Sequence, residues 1–125
     1  MKTKWPVAIV CLMFALQGCG STSPGPSGAS AHSIAVSTLQ KVNAKAHECW
    51  LKDNDFKAYG IVPELDTSGA PRLLVIPRGK PQSLPQAVIV ASSGSAQFYG
   101  PLHASPLGPR IQADISRWAS GGAGC

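Results

Sequence analysis

Residues 72–91 read "RLLVIPRGKPQSLPQAVIVA", two short apolar runs separated by a polar, proline-rich connection. Leu73-Leu74-Val75-Ile76 and Ala87-Val88-Ile89-Val90-Ala91 are rich in β-branched residues and too short for an ordinary helix, so both are predicted strands. Pro77 stops the first, and Arg78 to Pro85 reads as a soluble loop with Arg78-Gly79-Lys80 as a basic turn. Neither run alternates apolar with polar residues. That predicts strands covered on both faces, at least at their centres.

On the N-terminal side, Tyr59, Ile61 and Leu65 alternate within Lys57 to Leu65, a third strand closed by the turn residues Asp66 to Pro71. On the C-terminal side, Ser92-Ser93-Gly94-Ser95 breaks the chain before Ala96-Gln97-Phe98-Tyr99, which either extends the last strand or pairs again. Further out, Ala35, Leu39, Val42, Ala46 and Cys49 recur at helical spacing and predict an amphipathic helix over 34–51, with Ser33 as its cap and Glu48–Lys52 as a supportive pair. Gly108-Pro109 opens a last helix whose apolar face is Ile111, Ile115 and Trp118, and Gly121-Gly122 ends it. The expected fold class is therefore α+β: one small domain ordered helix, strand, strand, strand, helix, with helices covering an antiparallel sheet.

The chain begins differently. Lys2 and Lys4 precede ten apolar residues, Val7 to Leu16, too few to span a bilayer but matching the charged and apolar regions of a secretory signal. Leu16-Gln17-Gly18-Cys19 then resembles the lipobox of bacterial lipoproteins. The resemblance implies cleavage between Gly18 and Cys19, lipid on Cys19, and stable attachment to a membrane through two or three acyl chains. Gly20, in place of Asp, implies the periplasmic face of the outer membrane; the cell surface and the outer leaflet of the inner membrane are the alternatives. Residues 1–18 are thus read as signal peptide, 19–32 as the lipidated cysteine with a Ser/Pro/Gly tether, and 33–125 as the globular domain. A tether of that kind has a mean reach of roughly 20 Å.

Four cysteines are present. With Cys11 in the signal and Cys19 acylated, Cys49 and Cys125 are left to pair in an oxidising compartment; the alternative is one buried and one free thiol. The formal charge of the whole chain is +5, and loss of Lys2 and Lys4 brings it to +3. No run of five or six like charges marks a nucleic-acid arm, so nucleic acid is not an expected partner.

Glu48-Cys49-Trp50 closing the first helix, the strand ending Glu64-Leu65-Asp66-Thr67-Ser68-Gly69, then Ser92-Ser93-Gly94 and Phe98 before a final helix, resemble the C-terminal domains of TonB and TolA. The resemblance implies a partner-binding envelope module with no catalytic site, in some complexes adding a strand to its sheet. Their energy-transducing role is not implied, because a lipobox places the anchor in the opposite membrane.

Local motifs for chemistry are sparse. Asp53, Asp55 and Glu64 match three positions of a calcium loop, but Lys57 and Ala58 stand where a ligand and the turn glycine belong, so solvated carboxylates are expected and no metal. His32, His47 and His103 lack metal-ligand spacing, and His32 falls in the tether. No Gly-x-Ser-x-Gly elbow or phosphate loop is present, so no catalytic residue and no cofactor are assigned; a Ser/His/Asp set gathered from distant positions stays open. Trp50 and Trp118 are expected in a core cluster against the disulfide, or, if exposed, as partner anchors together with Tyr99. The leading functional expectation is a lipid-anchored, non-enzymatic module that binds an envelope protein or the cell wall. An inhibitor or immunity lipoprotein acting on a lytic enzyme is the alternative, and a lipid-anchored hydrolase the third.

Overall fold

The computed structural model describes residues 30–66 and 68–125. Helix α1 runs Ala31–Cys49, and strands β1 (Tyr59–Glu64), β2 (Arg72–Pro77), β3 (Ala87–Ser92) and β4 (Ser95–Tyr99) follow before helix α2 (Gly108–Ala119). The sheet is an antiparallel meander in the order β1-β2-β3-β4. Its fourth strand is the Ala96–Tyr99 segment, which turns at Ser93-Gly94 and pairs back along β3 from Ser92↔Ser95 to Val88↔Tyr99. The expected signal peptide and the expected cleavage and lipidation site at Gly18 and Cys19 lie outside the described residues.

The first helix starts earlier than its sequence predicts. Ser30 is the cap: its hydroxyl oxygen accepts from the Ser33 amide at 3.2 Å, while the Ser33 hydroxyl donates back to the Ser30 carbonyl at 2.9 Å. Either serine can cap, but only Ser30 stands where its oxygen reaches an otherwise unpaired amide of the first turn. Ala31 and His32 therefore belong to the helix rather than to the tether. At the other end the α-helix stops at Cys49, and Trp50–Lys52 form a 3-10 turn. Lys52 is thereby taken off the helix surface, and Glu48 bonds Lys45 at 2.9 Å instead.

Helix α2 is shaped by glycine at both ends. A side chain at Gly108 would stand 2.4 Å from the His103 carbonyl oxygen. At the C-terminus Gly121 takes φ +91, its amide bonding the Trp118 carbonyl, and the Gly122 amide bonds that of Arg117, a Schellman ending.

Both helices lie on one face of the sheet. Leu39, Val42 and Ala46 of α1 and Ile111, Ile115 and Trp118 of α2 pack over Leu73, Val75, Ala87, Ile89, Ala96 and Phe98 in a single core. Trp50 and Trp118 are each 1% exposed, with Trp50 stacked on Phe56 at 4.8 Å and tilted against Trp118 at 5.2 Å. Each large apolar side chain removed from water contributes roughly 1.5–3 kcal/mol, so this aromatic cluster is a principal source of stability. It also takes both tryptophans out of the surface, and with them the expectation that either anchors a partner. Cys49 and Cys125 are joined, Cα atoms 5.4 Å apart across a sequence separation of 76, tying the tail beyond α2 to the end of α1.

The opposite face departs from expectation. Among the described residues no element is laid over it, so β2 and β3 are covered by helices on one side only.

Candidate functional site

In paired antiparallel strands, residues directly opposite share a face, and residues two apart on one strand do too. The register Val62↔Leu74, Leu74↔Val88 and Val88↔Tyr99 thus lays four apolar side chains in one row across all four strands of the uncovered face. Ile76 and Val90 extend the patch to either side. Ile76 is nevertheless buried, outside the main core cluster, so that end of the face is closed to solvent. Tyr99 is 57% and Val62 36% exposed.

The patch is bordered by paired polar groups. Glu64 and Arg72 form an ion pair across β1 and β2. The Tyr99 hydroxyl donates to Gln97 Oε1 at 3.0 Å. At the hairpin end, Val90, Ala91, Ser92, Ser95 and Gln97 line a shallow hollow of about 220 Å³, and Ser92 and Ser95 hydrogen-bond each other at 2.8 Å.

The sheet edges are less inviting than the face. Pro63 in β1 has no N–H to offer an added strand, a residue tolerated in a sheet chiefly at edges. In β4 the Ala96 carbonyl accepts from Gln112 Nε2 of α2 at 3.0 Å.

A second cluster gathers most of the remaining polar chemistry. Arg110 of α2 donates through Nη2 to Asp53 at 2.6 Å and through Nη1 to Asp55 at 3.1 Å, with its guanidinium 5.2 Å above the Phe56 ring. One turn on, the buried Asp114 accepts from Trp50 Nε1 at 2.9 Å and from Arg117 Nη2 at 2.7 Å. The hydrogen bond from Arg110, followed by one from the Asp55 amide, holds the Asp53 carboxyl below the usual carboxylate range. Reciprocally, the bond to Asp53 raises the Arg110 guanidinium above its already high value. Both oxygens of Asp114 are occupied and the group is buried, so the cluster fastens the 3-10 segment to α2.

The calcium-like carboxylates are accounted for in the same way. Asp53 and Asp55 are claimed by Arg110 and Glu64 by Arg72, so they are paired with arginines rather than merely solvated. Among the described residues no three His, Cys, Asp or Glu side chains converge for a metal. His32 is exposed on the first turn of α1, His47 Nδ1 lies 2.9 Å from the Asn43 carbonyl, and the His103 ring stands 5.1 Å from Phe98. A hollow of about 310 Å³ lies where α1 meets the end of α2, lined by Lys41, Ala44, Lys45, Trp118, Gly121 and Gly122.

Of the aromatic candidates, only Tyr99 reaches the surface patch. Leu74 and Val88 are not legible as surface residues in the sequence, because an uninterrupted apolar run looks the same whether one face or two are covered; Val62 is out of phase with Tyr59 and Ile61, which places it on the opposite face. Arg110, Asp114 and Arg117 carry a readable signal, their i,i+4 and i,i+3 spacing on one helix. Comparison of the chain with protein-family models, curated proteins and solved structures finds no match.

Proposed function

We propose that this chain is a lipid-anchored envelope protein whose folded domain acts by binding, not turnover, through the uncovered face of its sheet. The observation that carries the reading is the row Val62, Leu74, Val88 and Tyr99, apolar across four strands and beneath no described element. An apolar row exposed at both ends, at Val62 and Tyr99, and half-buried between them suits an interaction surface. The lipobox-like Leu16-Gln17-Gly18-Cys19 supports the anchor, and Gly20 after it, in place of Asp, supports the outer membrane's periplasmic face. The polar edges disfavour strand addition, the mode that the TonB/TolA resemblance implies, and favour docking on the face.

Two measurements test this. Mass spectrometry of the full-length product from bacterial envelopes is expected to find Cys19 N-terminal and acylated; an uncleaved leader or a bare Cys19 overturns the anchor. Chemical crosslinking in intact envelopes is expected to give adducts that disappear in Val62→Lys/Tyr99→Lys. Adducts unchanged by that variant would remove the face from the reading.

A further inference from the structure

The uncovered face also indicates what it binds. We propose that it pairs, sheet against sheet, with the same face of a second copy of this chain; the inference rests on the reading of that face as the docking surface.

Three observations select this occupant. The first is where apolar surface is left over: among the described residues the exposed large apolar side chains are Val62, Tyr99 and Leu84, two on the face and the third on the loop joining β2 to β3. A face-to-face pair withdraws the first two from water at once.

The second is charge. The protein is basic, +5 for the whole chain and +3 once Lys2 and Lys4 are removed with the proposed signal, yet the strands of the face hold one acid and one base, Glu64 and Arg72, already paired with each other. Two copies of a basic protein repel, and they repel least through a patch of zero net charge. Of the exposed lysines, Lys41 and Lys52 lie on or just beyond the helix that covers the other side of the sheet, whereas Lys57 precedes β1 and Lys80, with Arg78, follows β2. Sheet-to-sheet pairing therefore holds the helix-side lysines of the two copies apart, and leaves Lys57, Arg78 and Lys80 at the rim.

The third is size and closure. Strand spacings near 4.8 Å and a rise near 3.3 Å per residue give the face roughly 400 Å². Two such faces with their rims bury on the order of 1,000 Å², at the low edge of specific interfaces, which fits micromolar association. Face pairing is isologous and complete at two copies, whereas the edges, which would propagate a sheet without limit, are blunted by Pro63 and Gln112. Anchoring on one membrane raises the local concentration enough for so modest an interface to matter.

The test uses the full-length chain in intact cells, with the photocrosslinker p-benzoylphenylalanine placed at position 99 or, as a control, at position 40 on the outer side of α1. The expected result is an adduct from position 99 containing peptides of this chain alone, and none from position 40. An adduct from position 99 to a different protein overturns the second copy while leaving the docking face standing. No adduct from position 99 overturns both, and self-adducts from both positions overturn a face-specific pair. In parallel, sedimentation of the purified full-length protein in detergent is expected to show self-association at least about a hundredfold weaker in Val62→Lys/Tyr99→Lys, because like charges then meet across the pair. Its melting temperature should stay near that of the wild type, since both positions are exposed in the monomer; self-association unchanged by the variant overturns the proposal.

Discussion

Val88 and Ile89 are neighbours in β3, alike in chemistry, and their surroundings differ completely. Ile89 is fully buried beneath the helices, whereas Val88 lies half-buried in the row that crosses the open face. The same holds for Leu73 and Leu74 in β2. One strand thus supplies a core with its odd-numbered positions and an apolar surface with its even-numbered ones. Hydrophobic character alone does not distinguish a residue that stabilises the fold from one available to a partner; that depends on which face the helices occupy.

The contrast predicts unequal energetics for near-identical substitutions. Ile89→Ala should destabilise by about 2–5 kcal/mol, the range for a fully buried aliphatic side chain, and urea unfolding of the full chain measures it. Comparable losses for Ile89→Ala and Val88→Ala would mean that something covers the open face in the monomer.

The helix layer that makes one face a core is itself held down by Cys49–Cys125. Cys49→Ala/Cys125→Ala should cost about 2–5 kcal/mol, seen as a lower melting temperature that reductant reproduces in the wild type. Hydrogen exchange would sharpen the comparison by showing faster exchange in α1 and α2 than in the strands. Next in size, Asp114→Ala leaves the buried Trp50 indole N–H without its acceptor and should lose about 1–3 kcal/mol in the same urea measurement.

A smaller effect concerns acid. Asp53 is depressed in the folded state, so its pairing with Arg110 stabilises fully above the unfolded carboxyl's pKa, near 3.9, and that contribution is lost as pH falls through the lower folded value. The urea midpoint should therefore drop below about pH 4, and Arg110→Ala should flatten that part of the profile. Smallest of all, Val88→Ala should change stability by less than about 1 kcal/mol, being only half-buried, while weakening association through the face.

Much of the architecture is legible along the chain. The stripe from Ala35 to Cys49, the Gly108-Pro109 opening of α2 and the Gly121-Gly122 stop are local signals, and the structure uses each of them. The tail segment Ala96–Tyr99 is ambiguous by itself, since four residues carry too little alternation to separate an extension from a new strand. Its partner β3 decides. The cap moved from Ser33 to Ser30 for a comparable reason: two serines three apart both qualify, and hydrogen-bond geometry chooses. Of the surface patch, Tyr99 is named in advance and Val62 is readable from its phase against Tyr59 and Ile61, whereas Leu74 and Val88 look like core.

Composition and spacing by themselves determined two helices and an antiparallel sheet, and an apolar N-terminal run ending in a lipobox-like motif whose resemblance left two cysteines to pair. These are set by short-range preferences: caps, turns, periodicity and the count of thiols. The tertiary structure alone decided that both helices share one face, that both tryptophans are interior, and that a carboxylate on α2 is enclosed between two arginines and an indole. Each of those depends on segments far apart in the chain meeting in space, and that meeting is what leaves one side of the sheet, among the described residues, without a covering helix.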